Sequence, residues 1–147
     1  MLEWLQVIKK IREKNPNVYG IIVGAGAMEE EIKDKWKELG LEDVVFFPGL
    51  KTDVKPYFEA MDIFMMSSSF EGLPIALLEA MSMECAVVST DAGGIKEVIR
   101  NEIDGLVCPV NEWQELTAVV QILLNEAETL EKYKKAARKR VEDSFSM

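Results

Sequence analysis

The sequence predicts an α/β domain built on a parallel sheet with helices on both faces. Short apolar runs rich in Val, Ile and Phe alternate along the chain with longer amphipathic segments, and this alternation is typical of βαβ units. The short runs are apolar throughout, as in strands that are buried on both faces. The length of 147 residues suits one domain with a substantial core but not two.

Each predicted helix carries an apolar stripe or a recognisable end signal. The first helix has one apolar side and ends at the Asn-Pro-Asn sequence of 15–17. The second opens with acidic residues and ends on Gly40, a residue suited to a helix C-terminus. Pro56 and Pro74 fit the first turns of the next two helices, and Asn111 is a suitable N-cap for a later one. The predicted helices cover 2–14, 28–40, 54–61, a stretch that opens at Pro74, 95–100, 111–125 and 127–145.

The predicted strands are short runs in which β-branched, aromatic and other apolar side chains dominate. They cover 18–24, 44–47, 62–67, 85–90 and 105–110. Because strands in such a sheet are buried on both faces, we expect Phe46, Phe64 and Met65 to lie in the core.

Composition excludes several classes of function. The net charge of −9 argues against nucleic-acid binding and against an anionic-membrane surface, both of which favour basic proteins. No apolar run reaches the roughly 18 residues that span a bilayer. The absence of histidine removes Ser-His-Asp and Cys-His catalysis and most zinc sites. Cys85 and Cys108 lie in apolar stretches and the N-terminus has no signal-peptide pattern, so we expect reduced thiols and a cytoplasmic protein.

In sheets of this class, ligands bind beyond the carboxyl ends of the strands, in loops that enter helices. The loop at 24–28 contains Gly24 and Gly26, but Glu29 replaces the third glycine of the dinucleotide fingerprint, so a tight turn is the simpler interpretation. The loop in 90–98 places two glycines before a helix start. An anion site and a plain turn both fit that pattern.

A third loop, within 67–81, leads into an apolar helix that contains one carboxylate. The backbone N–H groups of Gly72 and Leu73 would be free at the helix start, where the positive end of the helix dipole suits a diphosphate. Glu79 falls in the second turn and should be partly buried, so it requires a partner. That partner is either a protein cation or N–H group, or the two hydroxyls of a ribose, and spacing alone leaves both open.

Glu71 and Glu79 enclose seven residues in EGLPIALLE, which resembles the E-x7-E signature of retaining GT-B glycosyltransferases of family four, the glycosyl transferases group 1. The flanking segments IIVGAG, VVFFPGL, DIFMMSSSF, AVVSTDAGGIKEVI and DGLVCPV are similar to that family in order and spacing. The resemblance runs over nearly the whole chain. It implies the C-terminal, donor-binding half of a GT-B fold, with a Rossmann-like parallel sheet.

The resemblance implies specific roles for the site residues. Glu79 would hold the ribose hydroxyls of a nucleotide-sugar donor, and Glu71 would face the donor sugar as the catalytic residue. Backbone groups of one loop would meet the diphosphate, and a second loop would lie beside the base. The implied donor-binding residues besides Glu79 are Gly24, Gly26, Leu50, Lys51, Gly72 and Leu73. The reaction would retain configuration and require no metal or other cofactor, and the sequence has no D-x-D pair to hold a metal.

The resemblance also implies that parts of the enzyme lie outside this chain. In the implied strand order 3-2-1-4-5-6, the first strand precedes residue 1, as does the acceptor-binding N-terminal domain. We therefore expect a domain truncated at both ends, inactive by itself. Residues 18–24 should pair directly with 62–67 or leave an open sheet that favours self-association, and helix 2–14 should be the least firmly docked. Glu84 stands where the family has glycine, which predicts an irregular helix end.

Two alternatives belong to other functional classes. A Rossmann-type nucleotide-binding module of an oxidoreductase would share the fold, although the broken glycine fingerprint speaks against it. A non-catalytic remnant or scaffold would share the fold and bind no nucleotide. The sequence does not specify the sugar, the base or the acceptor.

Overall fold

The structure, a computed structural model, describes residues 2–23, 29–49, 55–66, 75–91, 95–109 and 113–144. Within these ranges helices and strands alternate along the chain as the sequence predicts. The helices are α1 (Leu2–Arg12), α2 (Glu29–Glu38), α3 (Lys55–Ala60), α4 (Ile75–Ser82), α5 (Ile95–Val98), α6 (Trp113–Asn125) and α7 (Ala127–Ser144). The strands are β1 (Gly20–Val23), β2 (Val45–Gly49), β3 (Ile63–Met66), β4 (Ala86–Thr90) and β5 (Leu106–Cys108).

All strand pairs in the described ranges are parallel. β1 pairs with β2 in one sheet, and β3, β4 and β5 lie side by side in that order in a second sheet. β4 is the central strand of the second sheet, and every residue in it is buried. This confirms the predicted α/β class with parallel pairing.

Helices cover both faces of β4. On one face Val87 packs against apolar side chains of α4, α5 and α7. On the other face Ala86 and Val88 pack against α1 and α6. Because successive side chains of a strand point to opposite faces, this alternation places a helix layer on each side. The predicted arrangement of helices on both faces is confirmed.

The strands β1 and β3 do not pair with each other in the described ranges. Their separation into groups β1–β2 and β3–β4–β5 agrees with the strand order that the resemblance implies. The expected direct pairing of 18–24 with 62–67 is therefore wrong for the described residues. Pairing of an open edge with a second copy stays a prediction.

Helix α1 joins the two sheets. Its side chains Trp4, Leu5 and Ile8 pack with Val45 of β2, while other residues of the same helix contact β4 and α6. Met65 of β3 contacts both of these clusters. Since Leu5 is fully buried, the expectation that this helix is loosely docked is wrong. The apolar stripe of α1 is wide enough for the helix to pack against both sheets at once.

Phe46 corrects another expectation. Its neighbour Val45 is fully buried, but Phe46 is 49% exposed and stacks on Tyr19 with ring centroids 6.4 Å apart. Adjacent residues in a strand point to opposite faces, and Val45 takes the face that α1 covers. The described helices leave about half of Phe46 uncovered, so its assignment to the core is wrong.

Helix α4 has a regular C-terminus despite lacking a glycine there. Glu84 adopts a left-handed backbone with φ of 61°. Its N–H donates to the carbonyl of Met81 at 3.1 Å, and the N–H of Cys85 donates to the carbonyl of Ala80 at 3.0 Å. These two bonds form the Schellman motif, which usually places glycine at the left-handed position. The predicted irregular end is therefore wrong, and Glu84 instead adopts a strained conformation.

We expect Glu84→Gly to raise the free energy of unfolding by about 1 kcal/mol, because glycine has no Cβ to oppose a left-handed backbone. The ion pair that Glu84 makes with Arg138, at 3.9 Å and exposed, contributes little. Gly40 provides the reverse case, since it ends α2 with φ of 69° and its replacement by alanine should cost about the same amount. Urea denaturation measures both changes. Glu84→Ala is the control, and a gain with alanine equal to that with glycine would contradict the explanation.

Candidate functional site

The predicted site residues occur in segments that follow the carboxyl ends of β1, β2 and β3. Only Glu79 of α4 falls within the described part of the chain. The remaining ones lie outside the described residues: Gly24, Gly26, Leu50, Lys51, Glu71, Gly72 and Leu73. Their place in the sequence still matters, because the carboxyl ends of parallel strands meet at one edge of a sheet and ligands bind there.

Glu79 is a half-buried carboxylate on a helix whose other residues, apart from the terminal Ser82, are apolar. Its neighbours Ala80 and Met81 are fully buried in the core. Ser82 Oγ donates a hydrogen bond to the Glu79 main-chain carbonyl at 2.8 Å, but no described residue donates to the side-chain oxygens or forms an ion pair with them. The predicted partial burial is confirmed. Among the described residues, no lysine or N–H group fills the role of protein partner.

Thr90, at the carboxyl end of β4, is a candidate site residue that sequence reasoning missed. Thr90 is 1% exposed. Its buried hydroxyl forms no hydrogen bond with any residue that the structure describes. A buried hydroxyl without a partner costs free energy, so such a group usually marks a place for a ligand or a water molecule. The available signal was a hydroxyl residue at the end of an apolar strand, immediately before a glycine-rich loop.

A charged cluster lies between β5, α5 and α7. The side chain of Asp104 is 3% exposed and accepts hydrogen bonds from Arg100 Nε at 2.8 Å and Nη2 at 2.9 Å. Arg140 Nε lies 3.6 Å from the same carboxylate. Burial alone would raise the pKa of Asp104, but the hydrogen bonds from Arg100 and the charge of Arg140 outweigh it and hold the pKa below its ordinary value.

The two cysteines are buried and free. Burial raises the pKa of the Cys85 thiol to about 11, and the thiol donates to the carbonyl of Phe58 at 3.3 Å. Burial likewise raises the pKa of Cys108. A thiol of this kind stays protonated at neutral pH and is a poor nucleophile, so both cysteines act as core residues, as predicted.

The exposed side of α7 carries both signs of charge. Arg138 bonds Glu142 at 2.6 Å, and Lys139 lies 3.3 Å from Asp143. These pairs one turn apart are typical of a solvated helix surface. In the described ranges, no cluster of three or more His, Cys, Asp or Glu side chains is placed to hold a metal ion. No helix in those ranges is both long and apolar enough to cross a bilayer.

The chain is similar in sequence to known glycosyltransferases. Residues 3–140 match the family described as glycosyl transferases group 1. The chain belongs to this family. It is 32% identical over 125 residues to an uncharacterised glycosyltransferase of Haemophilus influenzae, covering 84% of this chain and 35% of that protein. It is 33% identical over 133 residues to the amylovoran biosynthesis glycosyltransferase AmsK of Erwinia amylovora, covering 85% of this chain and 33% of that protein.

Solved structures share the fold of this family member. TarM of S. aureus superposes with a TM-score of 0.91 at 21% identity, over 98% of this chain and 29% of that one. The C-terminal domain of the group 1 protein LpcC from Francisella tularensis superposes with a TM-score of 0.88 at 23% identity, over 99% of this chain and 79% of that one. HepE of Anabaena, solved with UDP, superposes with a TM-score of 0.85 at 22% identity, over 97% of this chain and 41% of that one.

The chain spans about a third of the length of the curated relatives that it matches. The family match does not favour the oxidoreductase alternative. Nor does it favour the alternative of a non-catalytic scaffold.

Proposed function

We propose that this chain is the donor-binding part of a retaining glycosyltransferase, which moves a sugar from a nucleoside-diphosphate sugar to a hydroxyl group of an acceptor. The observation that carries the proposal is Glu79, a half-buried carboxylate without a described protein partner in the second half of an E-x7-E signature. The LpcC neighbour is a C-terminal domain and the HepE neighbour was solved with UDP. Both support a C-terminal domain that binds a nucleotide.

The chemistry follows from where these groups would act. A single carboxylate can accept hydrogen bonds from both hydroxyls of a ribose, so Glu79 would anchor the nucleoside. The first turn of a helix such as α4 would leave N–H groups without partners inside the helix, at the positive end of the helix dipole, and these would favour the diphosphate without a metal ion. Glu71 would face the sugar, where positive charge develops as the bond to the leaving diphosphate breaks. Stabilising charge at that position would lower the barrier.

Transfer requires the acceptor to be held against the donor. We place the acceptor-binding domain outside this chain and expect the 147-residue chain to bind a donor without transferring its sugar. The buried, free thiols are compatible with the cytoplasmic location that the sequence predicts.

We expect Glu79→Gln to weaken binding of a free nucleoside diphosphate by about 1.5–3 kcal/mol, the range for hydrogen bonds to a charged group. This corresponds to roughly a 10- to 150-fold rise in Kd. Calorimetry with UDP and GDP measures it. Glu128→Gln is the control, since Glu128 is an exposed glutamate of α7 and its replacement should leave Kd unchanged.

Other outcomes of the same experiment discriminate between the alternatives. Equal binding by Glu79→Gln and the parent, with weaker binding by Glu71→Gln, would reverse the two roles. Failure of the parent to bind any nucleoside diphosphate would support a scaffold without a ligand. Thermal stabilisation by NAD, without stabilisation by UDP or GDP, would support the oxidoreductase module.

A further inference from the structure

Thr90, the last residue of β4, has a polar side chain where the fold favours an apolar one. Successive side chains of a strand alternate between its faces, so Thr90 lies on the same face as Ala86 and Val88, which pack against α1 and α6. Valine has the same branched shape as threonine and would fill this position without burying a polar group. Because a buried hydroxyl without a partner costs free energy, threonine lowers the stability of the free protein here.

Among the described residues, no group offsets this cost. The adjacent Ser89 provides a contrast, since it is also 1% exposed but its Oγ donates to the main-chain carbonyl of Thr90 at 2.9 Å. On the face of Thr90, the neighbours along the strand and across the ladder are Val88 and Cys108. A buried water molecule needs about two to four polar partners, and these apolar neighbours are poor ones. A ligand at the end of the strand would supply the partner instead.

Thr90 lies at the edge of the sheet from which the predicted donor loop departs. In the parallel ladder, Met66 at the end of β3 is aligned with Ser89 of β4, so Thr90 is one residue beyond that level. Adjacent strands are about 4.8 Å apart. The segment that contains Glu71 continues the chain directly from Met66. Thr90 is therefore close to the point where that segment begins, at the edge where parallel sheets bind ligands.

We propose that Thr90 is a donor-binding residue, whose hydroxyl forms a hydrogen bond with an oxygen atom of the bound nucleotide sugar. A hydroxyl both donates and accepts hydrogen bonds, so it pairs equally well with a phosphate oxygen or with a sugar hydroxyl. The proposal rests on the proposed function, because it concerns the same ligand. Thr90 lowers the stability of the free protein and raises its affinity for the donor, a compromise that is common at binding sites.

The variant Thr90→Val separates these two effects, because it removes the hydroxyl and keeps the branched shape. It should raise the melting temperature of the free protein by about 2–6 °C, since it removes a buried hydroxyl that has no partner. It should also raise the calorimetric Kd for the donor by roughly two- to tenfold, the effect of losing one hydrogen bond. General destabilisation cannot produce a rise in stability together with a loss of affinity.

Ser89→Ala is the matched control, because Ser89 is an equally buried hydroxyl residue on the opposite face of β4 and already has a partner. It should lower the melting temperature and leave the Kd unchanged. Thr90→Ser keeps the hydroxyl and loses a methyl group, so it should lower the melting temperature but bind the donor more tightly than Thr90→Val. All measurements use the 147-residue chain with UDP, GDP and UDP-glucose, below the melting temperatures.

Weaker binding of both UDP and UDP-glucose by Thr90→Val would support the proposal and assign the contact to the nucleoside diphosphate. A loss with UDP-glucose alone would support it and assign the contact to the transferred sugar. An unchanged Kd for every ligand that the parent binds would overturn the proposal and leave the proposed function intact. An equal rise in Kd for Thr90→Val and Ser89→Ala would also overturn it. If the parent binds none of the three ligands, the proposed function fails and the role of Thr90 fails with it.

Discussion

Replacing Leu5 by alanine is expected to lower the free energy of unfolding by about 2–5 kcal/mol, the usual cost of a cavity at a buried leucine. Leu5 is fully buried on α1, in the cluster that contains Trp4 and Val45. The helix also packs on β4 and α6, so a cavity there weakens the contact that links the two sheets. Chemical denaturation followed by circular dichroism measures the change.

Lys9→Ala is the control on the same helix, because Lys9 is exposed and its replacement should change stability by less than about 0.5 kcal/mol. A cost below about 1 kcal/mol for Leu5→Ala would mean that the site collapses easily. Helix α1 would then be docked less firmly than the full burial of Leu5 indicates. A large cost together with a broadened transition would instead indicate that the two sheets unfold separately.

The features that the sequence predicts correctly depend on local chemistry. Parallel pairing follows from short apolar strands that alternate with helices. The end of α2 follows from Gly40, since a left-handed residue is needed there and glycine adopts that backbone most readily. Glu79 could be singled out from the sequence because the residues within one helical turn of it are apolar, and a carboxylate is unusual in such surroundings. Its partial burial then follows from the residues on either side.

The features that sequence reasoning missed depend on tertiary placement. The pattern of α1 shows an apolar stripe, but not that the stripe contacts two sheets. The sequence predicts Phe46 to be a core residue, but the exposure of its side chain depends on which helices cover β2. Glu84 shows that a strained residue is accepted when the surrounding hydrogen bonds fix the helix end. Arg140 lies about forty residues from α5 in the sequence, yet its side chain donates a hydrogen bond to the carbonyl of Val98 in that helix. No local sequence pattern could have predicted this contact.

The substitution Asp104→Asn is expected to cost about 3 kcal/mol of unfolding free energy at pH 7, near the lower end for breaking a buried ion pair. Asparagine keeps the shape of the side chain but loses its charge, and its amide N–H₂ would face the guanidinium of Arg100. Arg140 would lose its carboxylate partner while remaining mostly buried. The loss of unfolding free energy should lie at the lower end of the range because the Arg100 side chain is 53% exposed, so water can hydrate its guanidinium once the carboxylate is gone. Glu102→Gln in the same turn, an exposed position, is the control.

The cost should also depend on pH in a defined direction. The pKa of Asp104 is lowered in the folded state, whereas in the unfolded chain it should lie near the ordinary value of about 3.9. A carboxyl group with a lowered folded pKa stabilises the protein fully above the unfolded pKa, and this contribution is lost as pH falls through the folded pKa. Parent and Asp104→Asn should therefore differ by a constant amount from about pH 5 to pH 8, and the two should converge below about pH 4 because protonated Asp104 resembles asparagine. A difference that persists unchanged to pH 2 would show that the carboxylate charge is not what stabilises this cluster.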